Sequence, residues 1–296
     1  MIFKQPLVSI VIPFYNRFDL LENTLKYVSL QTYKNYEVIL IDDFSDRILN
    51  IDIIKKRINF PVLKYERLLE NIGPGGARRR GRELAEGNYI VYLDSDDQWD
   101  STFLERTTEI LQKHTSISMV FTGCITKSKK DILKKTNLAG GIHDYHNLVF
   151  KQKKSWATGS NVWRATISKS EYWKDFRDHE DFVHDILSTI DFSEIYHIPD
   201  FLCIVNKDKV RGINRCNAEM LKAFKYLTGN ETLRAQLKLK NRSKEFSSFI
   251  LFRMKRRKYN FKSVLDLTRI FIALLRFGNY GELNKIGLRI FLQLSR

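Results

Sequence analysis

The chain has 296 residues, 43 % hydrophobic and 28 % charged, an ordinary globular balance with room for one large domain or two small ones. No run of about 18 apolar residues occurs and the start lacks a signal-peptide layout, so neither a spanning helix nor a leader is expected. Cys124, Cys203 and Cys216 are far apart and odd in number, which excludes a disulfide framework or a cysteine metal site and points to a reducing cytoplasm.

Leu7 to Ile12 is a near-continuous apolar run that ends at Pro13, as a central parallel strand does. Phe14, Tyr15, Asn16 and Arg17 form a loop at its carboxyl end. Asp19 opens a helix with Leu20, Leu21, Thr24, Leu25 and Val28 on one face. Glu37 to Ile41 is a second strand, ending in Asp42 and Asp43. A short helix over Ile51 to Ile58 precedes a third strand, Val62 to Tyr65. The loop Glu70 to Gly76 enters a helix over Ala77 to Glu86 that closes at Gly87. Tyr89 to Leu93 is a fourth buried strand, and it runs directly into Asp94, Ser95, Asp96 and Asp97. This alternation predicts a doubly wound α/β half with parallel strands.

Parallel sheets place ligand sites beyond the carboxyl ends of their strands. Three carboxylates there are costly unless something positive joins them. A hard divalent cation, held by one or two carboxylates and substrate phosphates, meets that need. Capping of the next helix by Asp97 or Asp100 accounts for one acid, not three. Gly73 to Gly76 fit a plain turn or a phosphate contact equally. Arg78, Arg79 and Arg80 point in different directions, so at most two can face a site. The glycine patterns of dinucleotide folds and P-loops are absent, which disfavours both.

Phe103 to His114 reads as a helix and Ile117 to Thr122 as a strand. Lys127 to Asn147 is polar and broken, an excursion from the fold. Trp156 to Trp163 sets small residues between two tryptophans. Their rings could line a sugar pocket or pack in the core. His179, Glu180 and Asp181 precede a helix over Phe182 to Leu187. Acids there are favoured by the helix dipole, and a general base could sit at the same place.

Residues 217–296 carry 18 Lys/Arg against 5 Asp/Glu, so +13 of the net +16 lies in the tail. Helices are predicted over Ala218 to Leu227, Leu233 to Arg257, Phe261 to Phe277 and Gly281 to Leu294. Lys255 to Lys258 make a basic run. Such helices either lie on an anionic membrane or pack their apolar face on the domain.

Four motifs over about 90 residues resemble the family 2 glycosyltransferases with their GT-A fold. They are Val8 to Asn16; Gln31 to Tyr33 with Tyr36 to Asp46; Asn71 to Arg78; and Tyr92 to Asp97. The resemblance is strong over residues 6 to 115, fainter over 156 to 200, and absent in the tail. It implies a Rossmann-like, mixed but mostly parallel sheet flanked by helices, extended by a basic helical tail. The expected parts are a nucleotide-sugar half over 1–115, an acceptor half over 116–216 and the tail over 217–296. The implied activity is inverting, metal-dependent transfer of a sugar from a nucleotide-sugar, a UDP-sugar by preference, to a hydroxyl of a glycan or polyprenyl-diphosphate-linked glycan. That places the chain in cell-surface polysaccharide, O-antigen or capsule synthesis, in the cytoplasm at the inner face of the plasma membrane.

The resemblance also implies roles. Asp43 would hold the base and Tyr15 stack near it, with Pro13, Gly73, Ser95 and Trp156 among the substrate contacts and Arg78 near the nucleotide. Asp94 and Asp96, with Asp97 close by, would hold Mn²⁺ or Mg²⁺, Asp94 also touching the ribose. Glu180 and Asp181 resemble the family's Glu-Asp pair, whose second acid is the base. One departure stands out. Members often carry a histidine for metal and diphosphate after the strand near Ile204, whereas Val205 to Arg211 has none, leaving Lys209 or Arg211 as cationic substitutes. The competing readings are a nucleic-acid- or membrane-binding protein acting through its basic tail, and a sugar nucleotidyltransferase. Nucleic acid is not the expected partner, because it leaves the acids at two strand ends without a purpose.

Overall fold

A computed structural model describes residues 5–127, 132–135, 138–150, 156–191, 194–206, 213–256, 270 and 272–274. Strands β1 (Val8–Phe14) and β2 (Tyr36–Asp42) are buried at every position, as their unbroken apolar runs predict. Helix α1 (Phe18–Ser29) connects them. Then follow α2 (Ile51–Arg57), β3 (Leu63–Arg67), α3 (Gly73–Leu84) and β4 (Tyr89–Tyr92). These four strands are parallel in the order β3-β2-β1-β4.

The second half continues the same sheet. Its elements are β5 (Gln98–Trp99), α4 (Phe103–Lys113), β6 (Met119–Lys127), β7 (Ile132–Lys135), β8 (Gly141–Asp144), α5 (Tyr145–Phe150), β9 (Asn161–Arg164), α6 (Glu180–Ser188) and β10 (Glu194–Asn206). The full order is β3-β2-β1-β4-β9-β6-β10-β5, with β7 beside β6 and β8 beside β10. Strand β9 is antiparallel to both neighbours and joins the two halves. The polar stretch from Lys127 to Asn147 is therefore not an excursion. It carries β7, β8 and the start of α5, because its backbone finds partners on β6 and β10.

The strand period of two sends β1 side chains to two cores. Ile10 and Ile12 join Leu21, Leu25, Ile54 and Leu104, under α1, α2 and α4. Val11 joins Ala77, Tyr92, Val183 and Ile186, under α3 and α6. The tail adds α7 (Ile213–Gly229), α8 (Glu231–Leu239) and α9 (Ser243–Arg256) to this second face. Met220, Phe224, Leu227, Leu233, Phe246 and Ile250 are buried in it. The helix predicted over Leu233 to Arg257 is in fact two, broken where Asn241 adopts φ 53°. The expected helix over Gly281 to Leu294 lies outside the described residues, as does most of that over Phe261 to Phe277.

Candidate active site

The two acids ending β2 take opposite roles. Asp42 is fully buried and turns inward, accepting from the Ser45 amide at 2.8 Å and the Tyr65 hydroxyl at 3.2 Å. Asp43 turns to the head of α3, where its carboxylate accepts from the amides of Ile72 at 2.8 Å and Gly73 at 2.9 Å. Gly73 has φ +85°, which a side chain would strain. Burial pushes the Asp43 carboxyl up, and these amides and Arg177 pull it back.

The acids beyond β4 also diverge. Asp94 meets Arg78 Nη2 at 2.5 Å, and Asp96 meets Arg17 Nη1 at 2.8 Å. Asp97 is 2 % exposed and turns inward, where the Asn206 amide donates to it at 3.1 Å. Burial, with Asp94 and Asp96 adding like charge, raises its pKa well above the usual carboxylate range.

The opposite wall is the start of α6. His179, at φ 68°, turns the chain into the helix. Glu180 is 5 % exposed and accepts from Arg78 Nη1 at 2.7 Å. Burial pushes its carboxyl up, Arg78 opposing and Asp181 reinforcing. Asp181 accepts from the Phe182 amide at 2.8 Å, at the helix end that favours an anion.

One cleft of about 290 Å³ gathers Asp43, Asp94, Glu180 and Asp181, while Asp42, Asp96 and Asp97 are not among its lining residues. Pro13, Tyr15, Asp43, Arg78, Asp94, Ser95, Glu180 and Asp181 all line it, and Pro74 stands beside Gly73 at its edge. Trp156 does not. It is 5 % exposed, stacks on Tyr145 with ring centres 5.6 Å apart, and faces a small cavity behind Asp181 with Trp163 and Trp173. Its neighbours are aromatic, so packing claims the ring. Lys209 and Arg211 lie outside the described residues.

Several residues were not legible in the sequence. Arg17 reaches Asp96 over 79 positions, Asn206 supports Asp97 over 109, and Arg177 bonds the Asn71 side chain at 2.8 Å over 106. The one available signal was general: three acids at a strand end require nearby cations and donors.

The fold and cleft define a GT-A glycosyltransferase fold. The chain matches the solved structure of S. aureus TarS 1-349 in complex with UDP-GlcNAc with a TM-score of 0.69 and 16 % identity, over 91 % of this chain and 80 % of that one. The model of the family described as "Glycosyl transferase family 2" matches residues 9–176, and the chain belongs to that family. Among curated relatives, the putative teichuronic acid biosynthesis glycosyltransferase TuaG of Bacillus subtilis is 36 % identical over 124 residues, 40 % of this chain and 47 % of that protein. The UDP-Glc:alpha-D-GlcNAc-diphosphoundecaprenol beta-1,3-glucosyltransferase WfgD of Escherichia coli is 32 % identical over 118 residues, 39 % of this chain and 44 % of that protein. The matched stretch thus spans about half the length of these relatives or less.

The acids expected to hold a metal, Asp94, Asp96 and Asp97, do not turn the same way. Among the described residues no group of three His, Cys, Asp or Glu side chains is placed to hold a metal ion. Asp97 turns into the interior, where the Asn206 amide donates to it. Asp94 and Asp96 remain, with side chains 39 % and 20 % exposed. Two hard oxygen donors suit a Mg²⁺- or Mn²⁺-type ion that completes its shell with water and substrate phosphate.

Proposed function

We propose that this chain is an inverting glycosyltransferase that moves a sugar from a UDP-sugar to a hydroxyl of a glycan or polyprenyl-diphosphate-linked glycan in cell-surface polysaccharide synthesis. The observation that carries this reading is the convergence of Asp43, Asp94 and Asp181 on one cleft from three separate parts of the chain. The relatives' printed names supply the substrate classes.

Asp43, fixed by two backbone amides, keeps lone pairs for the N–H edge of the uracil. Tyr15, 44 % exposed, offers its ring beside that edge. Asp94 and Asp96 would hold the divalent ion, which when bound neutralises charge on the leaving diphosphate. Asp181 takes the proton from the acceptor hydroxyl. The hydroxyl oxygen bonds to C1 as the bond from C1 to the diphosphate oxygen breaks, and UDP leaves. One carboxylate and one displacement invert the anomeric centre, whereas a glycosidase works with a pair.

The tail's charge favours peripheral contact with anionic lipid at the cytoplasmic face of the plasma membrane, which would bring the cleft to a lipid-linked acceptor. The apolar faces of α7 to α9 are already used in the core, so that contact would be electrostatic. No helix among the described residues is long and apolar enough to cross a membrane.

The test is thermal unfolding with nucleoside diphosphates and UDP-sugars, with and without Mn²⁺, on wild type and Asp181→Asn. A ligand at 100 times its Kd adds about 2.7 kcal/mol. UDP should stabilise both proteins, and Asp181→Asn should lose UDP release from UDP-sugar by about 100-fold or more. A wild type indifferent to every nucleotide, or a fully active Asp181→Asn, defeats this reading.

A further inference from the structure

Arg78 is the one arginine that is buried among the described residues, at 3 % exposure. Its two terminal nitrogens hold acids that lie on opposite sides of the cleft and far apart in the chain. Nη2 is on Asp94 at 2.5 Å, 16 positions away; Nη1 is on Glu180 at 2.7 Å, 102 positions away. The guanidinium lies 5.0 Å from the centre of the Trp173 ring. Four features of the surroundings fix it there.

The first is helix α3 itself, whose head is tied to Asp43 through the Ile72 and Gly73 amides. The second is Gly75. A Cβ there would meet the Lys174 carbonyl oxygen at 1.9 Å and Glu180 Cβ at 3.1 Å, so α3 sits directly against the segment that enters α6. The third is Trp173, which closes one face of the guanidinium. The fourth is His179, whose left-handed backbone starts α6 with Glu180 facing Arg78 and Asp181 facing the cleft.

We propose that Arg78 is a positioning residue: its two-armed bridge between Asp94 and Glu180 sets Asp181 at a fixed distance from the donor acids. This rests on the transferase reading. Asp94 belongs to the donor side. Glu180 is the immediate neighbour of the proposed base and shares its helical turn. A planar guanidinium can hold both carboxylates at once in one geometry, whereas a lysine ammonium is a single point charge on a flexible stem. The distance that the bridge sets is the one that transfer needs. Reacting atoms must approach to about 3–3.5 Å, and a misplacement of about 1 Å costs about 100-fold.

The experiment uses the full chain, UDP affinity by calorimetry, and steady-state release of UDP from UDP-GlcNAc and UDP-glucose. The variants are Arg78→Lys, Glu180→Gln and the double. Each single variant should lower kcat by about 10- to 100-fold while KM for donor and Kd for UDP change by less than about threefold. The double should fall no more than about threefold below the weaker single, because either change opens the same bridge. Glu180→Gln is nearly isosteric and keeps the test alive if Arg78→Lys folds poorly. Full kcat in Arg78→Lys, multiplicative losses in the double, or UDP affinity and Tm falling in step with kcat would each overturn the inference. A wild type that neither binds UDP nor releases it from either donor overturns the transferase reading, and this inference with it.

Discussion

Asp42 and Asp43 are adjacent and chemically identical, yet one braces a turn and the other lines the cleft. The difference lies in what surrounds them. Asp42 is at the end of a pleated strand whose side chains alternate, so it falls on the inner face, toward Ser45 and Tyr65. Asp43 is the first residue off the strand, and two amides at the head of α3 capture it. At this scale the sequence revealed which acids cluster but not which way each turns. Orientation depended on Arg17, Arg78 and Asn206, whose separations from the acids leave no local pattern. The glycines make a sharper test. Gly75→Ala should destabilise the fold by about 1–3 kcal/mol, because the new methyl meets the Lys174 backbone. Gly229→Ala, with nothing within 4 Å of its Cβ position, should be neutral or stabilising by up to about 1 kcal/mol. Urea unfolding midpoints of the two variants would separate them, and equal midpoints would contradict the close approach of α3 to Lys174.

At the scale of elements, β1, β2 and β4 were legible because a strand buried on both faces writes an unbroken apolar run. Strand β9 was not. It has four residues, no alternation, and partners on β4 and β6 that only the assembled sheet provides. The split between α8 and α9 was missed for a similar reason. Its periodicity runs on, but Lys240 donates to the Thr189 carbonyl at 2.9 Å and Arg242 meets Asp144 at 2.8 Å, which fixes a bend at Asn241. Lys240 thereby places a cation at the carboxyl end of α6, the helix that presents Asp181 at its other end. The sequence of the tail, from residue 217 on, remains strongly basic, with 18 Lys/Arg against 5 Asp/Glu. Co-sedimentation with vesicles containing anionic lipid should be substantial at low salt and fall steeply when the Debye length shrinks to about 3 Å near 1 M salt. Equal binding to neutral vesicles, or none to anionic ones, would remove the membrane from the proposal.

For the whole molecule, two of the three buried histidines among the described residues, His146 and His197, lower stability in mild acid. Burial pushes His146 below its ordinary 6.5, with Lys240 and Arg242 adding repulsion. Burial lowers His197 likewise, and its ring stacks on Phe121 at 4.5 Å. As pH falls, the unfolded chain takes up these protons first. Their contribution is therefore present above about pH 6.5 and lost as pH drops through it. Each can add a slope of at most about 1.4 kcal/mol per pH unit. Stability from urea unfolding should fall between pH 7.5 and pH 5, and His197→Asn should flatten the curve. An unchanged slope in that variant would contradict a neutral buried His197.

The placement of β9 also has a consequence for how the chain is made. Strands β1 to β4 lie within the first 92 residues, but the free side of β4 is covered by residues 161–164. On the ribosome the first four strands can therefore assemble while the β4 rim, which the finished sheet covers, is still bare. A bare rim of paired parallel strands is a template for any other strand nearby, including one from a neighbouring nascent copy. The remedy arrives some seventy residues later, in the same segment that leads toward helix α6. The interval between those two moments is the period in which a cell making this protein is most exposed to its aggregation.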